Sequence, residues 1–146
     1  MKLAATKPDN MPSIFSKIVA GEIPCHKIAE TVNCLAFLDI MPLVKGHILV
    51  IPKKEIDYIF DVDDALLTEM ILFSKKVSKA QKEVISCKRI GIAVIGLEVP
   101  HAHIHLVPMN SMGDINFSRA KLNPSQEELT TVAETISKKY NALFPA

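Results

Sequence analysis

His101-Ala102-His103-Ile104-His105-Leu106-Val107 decides how this chain is read. Three histidines take alternate positions, with Ala102, Ile104 and Leu106 between them. Successive side chains on a β-strand project to opposite faces, so this spacing puts three imidazoles on one face and apolar residues on the other. Pro100 and Pro108 bracket the run, where a strand is expected to begin and end. Three of the five histidines in the chain fall within these five positions. Imidazole is a base, a nucleophile and a metal ligand near neutral pH, so the row points to chemistry. The competing reading is a solvated strand face with polar residues outward, which strict alternation of one titratable residue type disfavours.

Outward from the histidines the pattern is mixed. Pro12–Ala20 carries apolar residues at helical spacing and stops at Gly21, which predicts a short helix. Three runs of strand character follow, Cys25–Glu30, Cys34–Ile40 and His47–Ile51, separated by Asn33, Pro42 and Gly46 and closed by Pro52. Their short spacing predicts antiparallel neighbours. Asp61–Val84 is the long helix: its first turn is acidic and its second half carries Lys75, Lys76, Lys79 and Lys82, matching the helix dipole. Leu66, Leu67, Met70, Phe73, Val77, Ala80 and Val84 form its apolar stripe. Strands are expected at Arg89–Ile95 and His101–Val107. Asn123-Pro124-Ser125, with Glu128, announces a last helix over about Ser125–Tyr140. The expectation is an α+β fold, a five-stranded, mostly antiparallel sheet with a long helix and a C-terminal helix packed on it.

Alternation also selects partners for the histidines. Leu35, Phe37 and Asp39 share one face of their strand, and Asp is disfavoured in strands. Asp39 is thus either a strand-end turn former before Met41-Pro42 or a functional carboxylate. His47 shares a face with Leu49 and Ile51; a lone histidine there is usually structural, but one near three others can tune their protonation. His26 has no such company and reads as surface.

Composition bounds the rest. The chain has 146 residues, 49% hydrophobic and 23% charged, with a formal net charge of +1. That suits one globular domain and argues against disorder and against a polyanion-binding face, so no nucleic-acid partner is expected. No apolar run approaches membrane-spanning length, so no membrane partner is expected either. Cys25, Cys34 and Cys87 make no C-x-x-C pair and read as packed free thiols of a reducing compartment. The start lacks a signal-peptide stretch, and a cytoplasmic location is expected. Residues 1–10 read as a loosely ordered extension, with a single domain over 11–146.

Two chemistries fit the histidine face. His-x-His with a third histidine from another strand could make an open zinc site, for which Glu98 is the one obvious acidic neighbour. Alternatively one imidazole attacks an electrophile while its neighbours orient it. The pattern leaves the choice open.

The run at 101–107 resembles the signature of the histidine triad family, His-φ-His-φ-His-φ-φ with φ apolar. The resemblance continues through residues 13–24, 34–40 and 46–54, in the order found in the nucleotide-binding-protein branch. It implies the family's fold, a homodimer whose central strands join into one sheet, and a hydrolase or nucleotidyl transferase acting on a purine nucleotide. His103 would attack the α-phosphorus and form a covalent nucleotidyl-histidine that water resolves. His101 and His105 would flank the phosphate, and His47 would support their hydrogen bonds. Asp39 would take the ribose hydroxyls, with Ile14, Phe15, Ile18, Phe37, Ile40 and Leu49 around the base. No metal or other cofactor is implied for the covalent step. The product would be a nucleoside monophosphate, AMP, released from a phosphoramidate or similar conjugate. A dinucleoside polyphosphate hydrolase, a nucleotide-binding module with little catalysis and a zinc enzyme are the alternatives. Two departures stand out. Some relatives carry a zinc site beginning with C-x-x-C where this chain has Ser13 and Ser16. The family's glycine-rich loop before the triad is here Gly96-Leu97-Glu98-Val99-Pro100, which puts a carboxylate in the place of a hydroxyl.

Overall fold

A computed structural model describes residues 11–146, so the expected extension over residues 1–10 lies outside the described residues. The order is α1 (Ile14–Val19), β1 (Lys27–Glu30), β2 (Cys34–Leu38), β3 (Ile48–Pro52), a 3-10 turn (Ile59–Asp61), α2 (Asp64–Val84), β4 (Arg89–Ala93), β5 (Ile104–Met109), a second 3-10 turn (Met112–Ile115) and α3 (Gln126–Leu143). The five strands form one sheet in the order β1-β2-β3-β5-β4, and every neighbouring pair is antiparallel. The first three strands are a meander. The long α2 then crosses to the far edge, where β4 is laid down, and β5 returns between β4 and β3.

Side-chain alternation divides β2, β3 and β5 between two cores. One face sends Ala36, Leu38, Ile48, Val50, Ile104 and Leu106 against Met70, Phe73 and Val77 of α2 and against Leu129, Ala133 and Ile136 of α3. The other sends Leu35, Phe37, Leu49 and Ile51 toward Phe15 of α1. Because both faces of β2 and β3 are covered, these strands are buried throughout. The helices start where their caps dictate: Asp63 accepts the Leu66 N–H ahead of α2, and Ser125 accepts the Glu128 N–H ahead of α3.

Two expectations near the histidines need correction. The strand begins at Ile104, not His101. The His101 N–H bonds Val99 O and the Ala102 N–H bonds Ile56 O, so this backbone is tied to loops instead of a ladder. Pro108 lies inside β5, opposite Ile90, and does not end the strand. Proline is tolerated there because the β3 ladder stops at Ile48 opposite Leu106, leaving that side of β5 without a partner strand.

Candidate active site

The triad sits on the α1 face of the sheet. Leu49 pairs with His105 across β3 and β5 and with Phe37 across β2 and β3, which carries the imidazole row onto the Phe15 core. The Phe15 ring meets those of Phe37, His101 and His103 edge-on at centroid distances of 5.6, 5.8 and 5.1 Å. His103 and His105 stand 4.8 Å apart. The expected single-faced row is therefore realised even though His101 and His103 precede the strand.

Hydrogen bonds assign each ring a proton. His103 Nδ1 lies 2.7 Å from His101 O; a carbonyl only accepts, so Nδ1 carries the hydrogen and Nε2 keeps a lone pair. His47 Nδ1 accepts the Leu43 N–H at 3.1 Å, which leaves the proton on Nε2, and that proton is donated to His105 Nδ1 at 3.0 Å. His105 therefore bears its own proton on Nε2. Among the described residues neither His103 Nε2 nor His105 Nε2 has a hydrogen-bond partner. One presents a lone pair and the other an N–H. His103 lines a cavity of about 180 Å³ whose walls include Tyr58, Phe60, Val94 and Ile95.

Burial sets the charge state. It pushes His105 down to about 3, helped by His103, His47 and Lys121, and His47 down to about 4, helped by Lys121 and His103. His103 is lowered by burial too, against opposing contributions from its bond to His101 O and from the Glu98 charge. These three rings are thus neutral at neutral pH. His47 owes its position to the turn before β3: Gly46 has φ of 86°, and a Cβ there would come within 2.6 Å of Ile85.

Asp39 is a turn former, with one carboxylate oxygen left beside the histidines. Its Oδ1 accepts the Met41 N–H at 2.9 Å, the local turn bond. Its Oδ2 lies 3.8 Å from His47 Nε2, too long for a hydrogen bond and facing a neutral ring, so the two do not form an ion pair. Burial raises the Asp39 carboxyl, the Met41 bond and Lys121 oppose this, and Glu98 adds to it. Asp39, His47 and His105 bring their ligand atoms within 4.8 Å of one another, close enough for a cation. Their donors suit a proton better. A metal on His47 Nε2 would displace the proton shared with His105 and would force Nδ1, which already accepts from Leu43, to carry a hydrogen.

The first triad histidine is held from α1. Its Nε2 donates to Pro52 O at 2.8 Å, and its Nδ1 accepts the Ser13 hydroxyl at 2.8 Å. Ser13 Oγ also caps α1 through the Ser16 N–H, and the Ser16 hydroxyl donates to Glu55 at 2.8 Å, the carboxylate that takes the Ser13 N–H as well. A hydrogen-bonded cluster thus occupies the place of the C-x-x-C pair. Glu55 was not singled out by sequence, because a charged residue after a strand-ending proline has no periodic signal.

Of the residues expected around a base, Phe15, Phe37 and Leu49 are buried together, with Ile18 packed beside them. Ile14 and Ile40 fall outside this cluster at 50% and 57% exposure. Sequence reading also missed the segment after β5. Phe117 lies 4.7 Å from His105 and 6.3 Å from His47, and the Lys121 ammonium sits over its ring.

The HIT domain family matches residues 20–112 of the chain. An adenosine 5'-monophosphoramidase of Schizosaccharomyces pombe is 37% identical over 131 residues, covering 88% of this chain and 98% of the relative. The solved structure of a Hit-like protein involved in cell-cycle regulation, from Bartonella henselae, superimposes with a TM-score of 0.76 at 29% identity, covering 92% of this chain and 99% of that one. A zinc-bound histidine triad family protein from Mycobacterium smegmatis superimposes with a TM-score of 0.73 at 25% identity, covering 89% and 94%.

Proposed function

The chain belongs to the histidine triad family, and on that premise we propose that it hydrolyses a purine nucleoside phosphoramidate, or a similar conjugate, to AMP. The observation that carries this reading is the proton arrangement at His103. Nδ1–H is committed to a backbone carbonyl, so Nε2 keeps a lone pair of fixed orientation, and the ring lines a cavity. In the first step Nε2 attacks the α-phosphorus, the P–N bond breaks, and the amine departs with a proton taken from solvent at its nitrogen, which the water of the second step gives back when it adds to phosphorus. The His105 Nε2–H donates to a phosphoryl oxygen as charge builds there. Water then adds to phosphorus, the P–Nε2 bond breaks, and AMP leaves. The His101 carbonyl supports the positive charge that His103 carries while phosphorylated.

Asp39 is the acceptor for the ribose hydroxyls in this reading, and the Phe15, Phe37, Leu49 and Ile18 cluster backs the base, with Ile14 and Ile40 toward solvent. Glu98 bears on the leaving group. Its charge reaches both His103 and Asp39, so it opposes an anionic polyphosphate and tolerates a neutral or cationic amine. That favours phosphoramidates over dinucleoside polyphosphates. The working form is a cytoplasmic homodimer; no helix among the described residues is long and apolar enough to cross a membrane.

The test is AMP release from a panel of adenosine and guanosine phosphoramidates and dinucleotides, by wild type and His103→Ala. The expected result is turnover of phosphoramidates that the substitution lowers by several orders of magnitude, with AMP affinity within a few fold. Substantial residual activity in His103→Ala would remove the nucleophile assignment. A wild-type protein that binds AMP but releases none from any conjugate would make the chain a binding module.

A further inference from the structure

Among the described residues the histidines and carboxylates of the site offer no counter-charge for a phosphate. His47, His103 and His105 are neutral at neutral pH, and the two carboxylates that bear on them, Asp39 and Glu98, repel an anion. Lys45 lines a cavity with Asp39, Gly46 and His47, but the cation whose charge bears on the rings is another. Lys121 acts on Asp39, His47 and His105 together.

Geometry places that cation. Its Nζ lies 5.7 Å from the centroid of the Phe117 ring, and that ring packs against His105 and His47. One ammonium hydrogen goes to Phe117 O at 2.9 Å, which leaves two donors for a ligand. The segment is fixed on both sides of the lysine. Arg119 Nη2 donates to Leu43 O at 2.9 Å, and the Leu122 N–H donates to Pro42 O at 2.9 Å. Leu43 is the same residue whose N–H orients His47, so the segment after β5 and the His47–His105 pair share an anchor. Arg119 is itself spent on Leu43, Gly113 and Asp114, whereas the Lys121 side chain is exposed.

We infer that Lys121 is the anion-binding residue of this site, its ammonium seated on Phe117 and donating to an oxygen of the substrate's phosphoryl group. This rests on the nucleotide reading above and adds a residue to it. The lysine supplies the charge complementarity that the neutral histidines lack, and Phe117 closes the wall beside His105. Because the backbone on either side is already hydrogen-bonded, little ordering is needed when the phosphate arrives.

The experiment measures equilibrium binding of AMP and of adenosine to wild type, Lys121→Met and Lys121→Arg. AMP carries the phosphate and adenosine does not, so the pair isolates the phosphate contact. Lys121→Met should weaken AMP by about tenfold, the low end for a charge-assisted hydrogen bond at an exposed group, and leave adenosine within about twofold. Lys121→Arg should restore most of the loss. Added salt should shrink the difference between wild type and Lys121→Met. An unchanged AMP affinity in Lys121→Met overturns the assignment, and so do equal losses for AMP and adenosine. A wild-type protein that binds neither ligand overturns the nucleotide reading itself, which separates that failure from failure of the lysine.

Discussion

Asp39 has one oxygen committed and one open: Oδ1 is bonded to the Met41 N–H, while Oδ2 lies 3.8 Å from His47 Nε2 with no hydrogen bond among the described residues. Two ribose hydroxyls meeting a carboxylate would gain charge-assisted bonds of about 1.5–3 kcal/mol each. Asp39→Ala should therefore weaken AMP by at least about tenfold, and 2′,3′-dideoxy-AMP should lose far less between the two proteins. Equal losses for both ligands, measured by calorimetry, would leave Asp39 as a turn former only. The histidines make a second prediction at this scale. His47 and His105 have folded-state values of about 4 and about 3, below the ordinary 6.5 of an unfolded chain. Between those limits the unfolded chain binds more protons, so stability rises with pH. It is fully present above about pH 6.5 and is lost progressively toward pH 3–4. Urea midpoints at about pH 7.5 and about pH 5 should differ, the lower pH being less stable; identical midpoints would contradict neutral burial of these rings. Alternation anticipated that Asp39, His47 and the triad would lie near one another, although only His105 among them is inside a strand. Phe117, Arg119 and Lys121 were not anticipated, because they lie in a segment without period, placed by hydrogen bonds to Pro42 and Leu43 far away in sequence.

Element ends carry more of the site than element middles. The Ser13 hydroxyl both accepts the Ser16 N–H at the start of α1 and donates to buried His101 Nδ1. Ser13→Ala removes a cap worth about 1 kcal/mol and takes from buried His101 Nδ1 its 2.8 Å hydroxyl bond, leaving the Ser16 hydroxyl at 3.4 Å, at a cost of about 1–2 kcal/mol. The expected destabilisation is about 2–3 kcal/mol, with Ser13→Thr retaining most of the stability. Ser16→Ala should cost less, because its hydroxyl bond to Glu55 is only part-buried. Urea unfolding of the three variants checks the order, and a Ser13→Ala protein as stable as wild type would show that the Ser13 hydroxyl does not hold His101. From sequence, Ser13 and Ser16 registered only as missing thiolates; their replacement network needed Glu55, which is 39 residues from Ser16 in the chain. The helices were easier. The stripe from Leu66 to Val84 lies on the α2 core, and Ser125 caps α3 as its capping signal indicated. By contrast, α2 starts three residues later than expected, because Asp61 closes a 3-10 turn and Asp63 is the cap instead of a first-turn residue. The strand starting at His101 was misplaced because alternation reports which face a side chain takes. It does not report whether the backbone beside it finds a ladder partner, and Ala102 finds Ile56 instead.

At the scale of the molecule, the sheet has two edges that are treated differently. β1 is four residues long, flanked by the charged Lys27 and Glu30, and α3 packs against it. Such an edge resists further pairing. Among the described residues β4 has no strand on its outer side, and apolar residues stay exposed along and just beyond it: Ile92 at 54%, then Val94 and Ile95, and Leu97 at 74%. A bare apolar edge invites another chain. The order β1-β2-β3-β5-β4 was not readable from sequence, since local periodicity does not say that β4 goes to the edge while β5, the later strand, is inserted between it and β3. That placement is what makes the homodimer physically reasonable. Two β4 edges related by a twofold axis would pair antiparallel and continue the sheet into the second subunit, burying the exposed residues of both. Sedimentation equilibrium should therefore give about twice the 16.1 kDa chain mass at micromolar concentration. Ile92→Glu should shift the protein toward monomer, because it buries one charge per chain at the seam and, through the symmetry axis, sets like charges near each other. A similar charge at exposed Val32, beside the β1 edge, should leave the mass unchanged. A wild-type protein that sediments as a monomer at high concentration would show that β4 remains an open edge, and the apolar strip would then need a different covering.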